Sequence, residues 1–292
     1  MSRFKKEGKE LVSKVIAGDD LKEAVKKAVS LIGGFGKAAI KGEEVVVKPN
    51  FNTNDAFPGS SDPEFVKAVI ELLYEHGAKK VILAESSCFH SSSKKQMAHV
   101  IPVAEGAKAE VAILSEKNDW KPVKVDGKCM KTFNVSETYL RAKKTVWLPC
   151  MKTHKQAMFT LSLKLPMGMI KGTDRMKMHL CRLQEKIADM NLAVPAPDLI
   201  IMDARKCFFT GGPSHGKVGE PDLIIASGDR VAIDVEAIKV IQEFKGNKLA
   251  HKSPWDFRQI KTAIANKIGN VRSEKDYKVI FADTIPKKKK AF

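Results

Sequence analysis

Short runs of β-branched and other apolar residues recur along the chain and predict the strands of a buried sheet. The runs are residues 45–47, 81–83, 111–114, 145–148, 199–202, 223–226 and 279–281. Apolar positions at helical spacing separate several of them and predict helices over residues 20–32, 63–76, 230–244 and 254–268. Strands that alternate with helices predict an α/β fold, with a mostly parallel sheet flanked by helices on both faces.

The helix predicted over residues 63–76 has well-defined ends. Ser61 and Asp62 can cap its start, Pro63 suits the first turn, and Gly77 suits the end. The apolar run of residues 81–83 follows directly. We therefore expect a strand–helix–strand unit with a right-handed crossover.

Polar or glycine-bearing segments follow five of the predicted strands. Their candidate ligand-binding residues are Lys48 and Asn50, Glu85, Lys152 with His154, Asp203 with the Gly211-Gly212 turn, and Asp229. Ligands of open parallel sheets bind beyond the carboxyl ends of the strands. If the five strands lie side by side, these loops should meet in one crevice.

The segment CMKTHKQAMFTLSLKLPMGMIKGTDRMKMHLC, residues 150–181, gathers imidazoles and amines around an apolar run. It predicts a pocket for an anion, a metal or a carbonyl-type substrate. Thr160 and Lys164 fall on one face whether the region is a strand or a helix, and Pro166 should end or bend it. Lys171 adds another cation.

The three candidate catalytic residues are His154, Lys164 and His179, and each has two interpretations. His154 is a general base or metal ligand, or a loop histidine bonded to backbone. Lys164 is an anion contact, base or covalent anchor, or a lysine whose stem packs while its amine reaches water. His179 is a metal ligand, or a histidine packed by Met176 and Met178.

The remaining polar candidates also keep a structural alternative. Lys48 and Asn50 can hold a phosphate or carboxylate, or form a turn, since Pro-Asn commonly marks one. Glu85 is a candidate partner for the cations. Asp203 and Asp229 are further partners, or caps of helices.

The formal net charge of +17 favours a negatively charged partner. The lysines are scattered, apart from the run at residues 287–290, and aromatic residues make up only 7% of the chain. We therefore favour a small anionic ligand over nucleic acid, which remains the rival partner. Oligomeric state is left open.

Several protein classes are disfavoured. No apolar run is long enough to span a membrane, and no secretion signal is evident, so we expect a cytoplasmic protein without a membrane partner. The five cysteines are an odd number without a C-x-x-C motif, which argues against a disulfide framework or an iron–sulfur cluster. Signatures of serine hydrolases, zincins and kinases are absent.

Two lobes with a cleft between them are expected from breaks in the pattern. The boundaries are 1–140 for an N-terminal α/β lobe and 141–285 for a C-terminal α/β lobe that carries the histidines and Lys164. Residues 286–292 form a basic tail.

Together, the segments KPNF, HGAKKVILAES, LPCMKTH, TLSLK…MG with a following histidine, MDA…GGP and ASGDRVAID resemble the DUF362 family. The resemblance runs from about Val45 to about Asp234. Some members of that family carry ferredoxin segments, which this chain lacks. The family's usual Lys-Asn reads Lys164-Leu165 here, so no role of that asparagine carries over.

The order and spacing of His154, Lys164 and His179 also resemble lactate racemase and its relatives, which hold a nickel-pincer nucleotide through a lysine. That resemblance implies a tethering role for Lys164, a metal-ligand role for His179 and an acid–base role for His154. It implies a metal or nickel-pincer-like cofactor.

The expected function is an enzyme that shifts a proton or hydride next to the carboxylate of a small anionic substrate, as racemases and other isomerases do. The alternative is a non-catalytic protein that binds an anionic ligand or cofactor.

Overall fold

A computed structural model describes residues 3–51, 53–87 and 93–283 of the chain. Cys88 and the predicted basic tail at 286–292 lie outside the described residues. The strands are β1 (Lys5–Lys6), β2 (Lys9–Ile16), β3 (Glu44–Lys48), β4 (Lys80–Glu85), β5 (Glu110–Ile113), β6 (Trp120–Lys124), β7 (Thr132–Ser136), β8 (Lys144–Trp147), β9 (Cys150–His154), β10 (Met158–Thr160), β11 (Leu199–Phe208), β12 (Val218–Gly219), β13 (Leu223–Ser227) and β14 (Tyr277–Asp283).

The α-helices are α1 (Leu21–Leu31), α2 (Phe35–Ala38), α3 (Pro63–Glu75), α4 (Ser93–Gln96), α5 (Ile101–Gly106), α6 (Leu114–Lys117), α7 (Glu137–Leu140), α8 (Gly172–Leu180), α9 (Leu183–Ala193), α10 (Arg230–Gln242) and α11 (Arg258–Ala265). Short 3-10 helices span Leu165–Met169, Pro254–Asp256 and Glu274–Asp276. All seven apolar runs lie in or overlap strands, so the α/β prediction is confirmed.

Among the described residues, one sheet of 12 strands forms the centre of the fold, with the order β1-β2-β13-β11-β8-β3-β4-β5 along its main path. Strands β11, β8, β3, β4 and β5 run parallel to one another. Strand β9 extends this region beyond β8 and pairs with both β11 and the short β10. The carboxyl ends of β3, β4 and β8 therefore meet at one edge of the sheet.

Strand β13 runs antiparallel to β11, which changes the predicted crevice. Its carboxyl end, with Asp229 just beyond it, lies at the opposite edge from the carboxyl ends of β3 and β4. The expectation that all five loops meet in one place is therefore wrong for the fifth loop. Apolar content marks a strand as buried, but the direction in which it enters the sheet depends on its distant partners.

Alternate residues of each central strand pack into two separate hydrophobic cores, one on each face of the sheet. On β3, Val45 and Val47 pack with α1 and α3, whereas Val46 packs on the other face, against which α9, α10 and α11 lie. Each fully buried aliphatic side chain contributes about 1.5–3 kcal/mol. Burial on both faces explains why these strands are almost continuously apolar.

The start of α3 forms as predicted, with Asp62 as its N-cap, and the helix ends at Glu75, one residue before the predicted end. The Asp62 side chain accepts a hydrogen bond from the Glu64 backbone N–H at 3.0 Å, and Pro63 occupies the first turn. The start of α3 is therefore held by local chemistry, and the helix leads into β4, which pairs parallel with β3.

The division into lobes at residue 140 stays a prediction. Strands from both sides of that position share the central sheet, since β8 from the second part pairs with β3 from the first. Within the described ranges, no helix is both long and apolar enough to cross a bilayer.

Candidate functional site

A buried ion pair lies at the carboxyl ends of β3 and β4. The Nζ of Lys48 is 2.6 Å from Oε2 of Glu85, and each side chain is only 2% exposed. Lys48 also donates to the carbonyl of Pro49, while Glu85 accepts backbone N–H groups from Phe51 and Ser86. Burial lowers the pKa of Lys48, and the adjacent Glu85 carboxylate opposes that shift. These added hydrogen bonds are what a buried charge pair needs to be tolerated.

Gly168 packs directly against this ion pair, at a position where any side chain would collide with Glu85 and Lys48. A Cβ at Gly168 would lie 1.8 Å from Oε1 of Glu85 and 2.8 Å from Nζ of Lys48. The 3-10 helix Leu165–Met169, with Pro166 in its first turn, brings the glycine there. Pro166 therefore bends the chain after Lys164, as predicted.

A small cavity of about 40 Å³ adjoins the ion pair. It has room for roughly three water molecules or one small anionic group. Its lining residues are Lys48, Asn50, Glu85, Ser86, Lys152, Thr160, Lys164, Leu165, Met167, Gly168 and Pro213.

Two polar atoms on the cavity wall have no hydrogen-bond partner among the described residues. They are Nδ2 of Asn50 and Oγ1 of Thr160, and their residues are 6% and 5% exposed. A buried donor left unpaired costs about 1–3 kcal/mol. The cavity wall therefore carries unused hydrogen-bonding capacity that a polar ligand would satisfy.

Lys152 presents a second buried amine to the cavity. It lies opposite Thr160 in the β9–β10 pair, and its Nζ donates to the carbonyl of Gly59. Burial lowers the pKa of the Lys152 amine. Lysines 48, 152 and 164 therefore surround the cavity with cationic groups.

The turn before Lys164 is fixed by side chains from two helices. The carboxylate of Asp234 on α10 accepts the backbone N–H groups of Ser162 at 2.8 Å and Leu163 at 3.0 Å. Asn191 on α9 donates to the Leu163 carbonyl at 2.6 Å. Neither Asp234 nor Asn191 was predicted to support Lys164.

The ring of His154 is held as a neutral hydrogen-bond donor. Its Nδ1 accepts the backbone N–H groups of Gln156 and Ala157, at 3.2 and 3.1 Å. The neutral ring therefore carries its proton on Nε2. Burial, followed by the positive charge of Lys164, lowers the pKa of His154 to about 2. This geometry argues against the predicted role as a base, because the basic nitrogen is already engaged.

His179 has the opposite arrangement. Its Nδ1 lies 2.7 Å from the carbonyl oxygen of Arg175, which can only accept, so Nδ1 carries the proton and Nε2 keeps its lone pair. Burial lowers the pKa of His179, and the charge of Lys164 lowers it further. His179 is therefore the ring able to accept a proton or to ligate a metal.

His154, Lys164 and His179 act on one another electrostatically. The charges of Lys164 and His179 both lower the pKa of His154. On β9, His154 is two residues from Lys152 and so shares its face of the strand. His179 lines a separate cavity of about 290 Å³, together with Gln156 and Arg258, and neither histidine is among the residues that line the small cavity.

A pH series tests the buried state of His154. Folding lowers its pKa from 6.5 to about 2, so the unfolded chain binds more protons between those values. The free energy of unfolding should therefore fall by about 2 kcal/mol for this group as pH drops from roughly 7 to 5. Urea unfolding of the native chain and of His154→Gln at several pH values measures this loss of stability. Parallel pH profiles would contradict this account.

Several predicted ligand-binding residues lie away from the small cavity. Lys171 is exposed at the start of α8, and Asp203 is paired with Arg205, which also bridges to Asp62 at 2.6 Å. Asp229 caps α10. Gly211 and Gly212 do not line the cavity, although the neighbouring Pro213 does.

The structure adds cavity residues that sequence reasoning did not assign to the site. Thr160 had the clearest signal, because it shares a face with Lys164 under either reading of the segment. Ser86 and Pro213 belong to polar or glycine-bearing segments that follow predicted strands, whereas Leu165 and Met167 had no signal of their own. Apolar cavity-lining residues look like any other core residues in a sequence.

The donor set for a metal is incomplete within the protein. In the described part of the chain, no three His, Cys, Asp or Glu residues come together as a metal site. His179 nevertheless has the arrangement of a metal-bound histidine, because its second nitrogen donates to a carbonyl. A metal that arrives within a cofactor would need only such a single protein ligand, with Lys164 nearby as an anchor.

One known protein is similar to this chain in sequence, and one solved structure is similar in fold. The chain is 27% identical over 221 residues to a thylakoid-associated protein of Synechocystis sp., covering 72% of this chain and 67% of that protein. The lactate racemase apoprotein of Thermoanaerobacterium thermosaccharolyticum has a similar fold, with a TM-score of 0.52 and 12% identity. That match covers 83% of this chain and 59% of the racemase chain, so the chain spans about three-fifths of its length.

A family model described as "Domain of unknown function (DUF362)" matches residues 45–239, which is most of the chain. The matched region includes the ion pair, the small cavity and both histidines. The chain therefore belongs to the DUF362 family.

Proposed function

We propose that the small cavity binds the carboxylate of a small substrate and that His154 and His179, which both interact electrostatically with Lys164 on the cavity wall, move a proton on the neighbouring carbon. The observation that supports this most directly is the pair of buried, unpartnered groups of Asn50 and Thr160 on the cavity wall. Both can donate to a carboxylate oxygen. The amines of Lys152 and Lys164 supply opposite charge, and hydrogen bonds to a charged group are the strong ones.

The two histidines have complementary roles in this proposal. His179 accepts the substrate proton at Nε2, because Nδ1 is occupied by the Arg175 carbonyl. His154 donates from Nε2–H to the oxygen on which negative charge develops, as a neutral imidazole can. The carboxylate also offsets the charge of Lys164, which raises the basicity of His179 when the substrate is present.

A metal-containing cofactor would find its ligand in His179 and its anchor in Lys164. Such a group, when bound, would supply a Lewis acid that polarises the substrate. Lys164 would hold it in place from a turn fixed by Asp234 and Asn191.

Thr160→Val separates ligand binding from stability. Valine has nearly the shape of threonine and removes an unpaired hydroxyl, so stability should be unchanged or rise by up to about 1 kcal/mol. The affinity for acetate or L-lactate should fall roughly tenfold or more. Thr145→Val is the matched control, because its hydroxyl is also buried and unpartnered but lies on β8 outside the cavity. Equal ligand affinity in the two variants would remove Thr160 from the site.

Proton exchange tests the chemistry. Protein isolated from its own source should exchange the α-proton of a 2-hydroxy carboxylate with deuterium from the solvent. L-Lactate is the first substrate to test, and NMR measures the exchange. His179→Gln should abolish exchange without loss of binding, whereas Lys152→Met should lose binding. Exchange that survives in His179→Gln would refute the base assignment. Binding without exchange across a panel of such acids would favour the non-catalytic alternative.

A further inference from the structure

A second, larger cavity of about 400 Å³ lies at the opposite edge of the sheet. It forms where the amino ends of β8 and β11 meet the carboxyl end of the antiparallel β13. Its lining residues are Arg3, Ala196, Pro197, Asp198, Gly228, Asp229, Arg230, Lys267, Gly269 and Asn270. The proposed carboxylate site does not include any of them.

Arg230 is the unusual group in this cavity. It is 7% exposed, its guanidinium lies 5.6 Å from the ring centre of Trp147, and its Nη1 donates to Oδ1 of Asn191 at 2.8 Å. Within the described residues, no carboxylate lies at ion-pair distance from it. Burial lowers the pKa of the Arg230 guanidinium to about 10. The charges of Asp229 and Asp234 oppose that shift in part, but the side chain that hydrogen-bonds the guanidinium is neutral, so Arg230 retains capacity to bind an anion.

Two further cations join Arg230 at the cavity from distant parts of the chain. Arg3 and Lys267 are exposed, and neither forms an ion pair within the ranges that the structure describes. Three positive charges from separate segments therefore face one cavity. A dianion would match them better than a single carboxylate.

The two carboxylates of the cavity are already satisfied. Asp229 accepts the backbone N–H groups of Val231 and Ala232, at 2.9 and 3.0 Å, and that of Asn270. Asp198 pairs with Lys144 at 3.1 Å and accepts the backbone N–H of Thr145 at 2.9 Å. These contacts reduce the negative charge that they present to a ligand, so the cavity keeps an excess of positive charge.

We infer that this cavity binds a phosphate monoester, with the phosphate held by Arg230, Arg3 and Lys267. A guanidinium matches a phosphate through paired hydrogen bonds. The volume lies within the range of organic-ligand pockets, so an ester group also has room, bounded by the small residues Gly228 and Gly269. The site is separate from the carboxylate site, and neither depends on the other.

Titration of the full chain with AMP, with adenosine as the uncharged control, tests the inference. Arg230 packs on Trp147, so phosphate binding should change the Trp147 fluorescence in a saturable manner. Calorimetry on the same samples gives the affinity independently of the reporter. Trp147→Phe should lose the optical signal and keep the heat of binding.

The decisive variant is Arg3→Gln/Lys267→Gln, because both side chains are exposed and their loss should not disturb folding. AMP affinity should fall roughly tenfold or more, because hydrogen bonds between a cation and a phosphate are the strong ones. The control variant Lys245→Gln removes one positive charge at an exposed position outside the cavity. It should bind AMP as the native chain does. Lys152→Met should also retain AMP binding, which separates the two cavities.

Three results would overturn the inference. The first is the absence of saturable AMP binding in fluorescence and calorimetry. The second is equal affinity for AMP and adenosine, because the phosphate would then contribute nothing. The third is native affinity in Arg3→Gln/Lys267→Gln, because the bound phosphate would then lie elsewhere on this basic protein.

Discussion

Gly168→Ala should destabilise the protein by about 3–5 kcal/mol, the cost of disrupting a buried ion pair. The added Cβ would lie 1.8 Å from Oε1 of Glu85, so the carboxylate must move away from Lys48 or the 3-10 helix must shift. Both movements expose or separate buried charge. Urea unfolding followed by circular dichroism measures the change.

Gly106→Ala is the matched control for that substitution. Gly106 lies at the end of α5, and a Cβ there would meet nothing within 4 Å. Alanine should therefore be neutral or stabilise the helix by up to about 1 kcal/mol. Similar effects of both substitutions would mean that Gly168 does not need its small size.

Removal of one member of the ion pair should have an equally large effect. Lys48→Met leaves the Glu85 carboxylate buried with only its backbone N–H partners, and Glu85→Gln leaves the Lys48 amine without its countercharge. We expect each single substitution to cost about 3–5 kcal/mol. Urea unfolding of both variants gives the two costs.

The double variant Lys48→Met/Glu85→Gln completes the cycle. Its cost should be well below the sum of the single costs, because no uncompensated charge then remains buried. Additive costs would show that the two side chains stabilise the fold independently. Lys80→Met, at an exposed ion pair with Glu110, is the control and should change stability by less than about 1 kcal/mol.

These two predictions matter for function because the ion pair forms one wall of the small cavity. Lys48 and Glu85 fix each other, and Gly168 packs on them. The other walls contribute the amines of Lys152 and Lys164. In this arrangement Lys48 shapes the cavity, and its contact with a ligand is secondary.

Part of the site was predictable from local patterns. Lys48, Glu85 and Lys152 each follow or end an apolar run, and parallel strands bring such positions to one edge. Thr160 and Lys164 were expected on one face, and both line the cavity. The roles of the histidines were not predictable, because they depend on which ring nitrogen meets the backbone.

The sequence by itself determined the strands β3, β4, β5, β8, β11, β13 and β14, the capped helix α3, the family and the polar residues at the carboxyl edge of β3, β4 and β8, whereas β2 had no predicted counterpart. These follow from the period of apolar residues and from short motifs, which act over a few neighbouring positions. Only the tertiary structure decided the direction of β13, which moved Asp229 to the second cavity, and the pairing of Lys48 with Glu85. Those features come from contacts between residues far apart in the chain, so their energies appear only when the sheet has assembled.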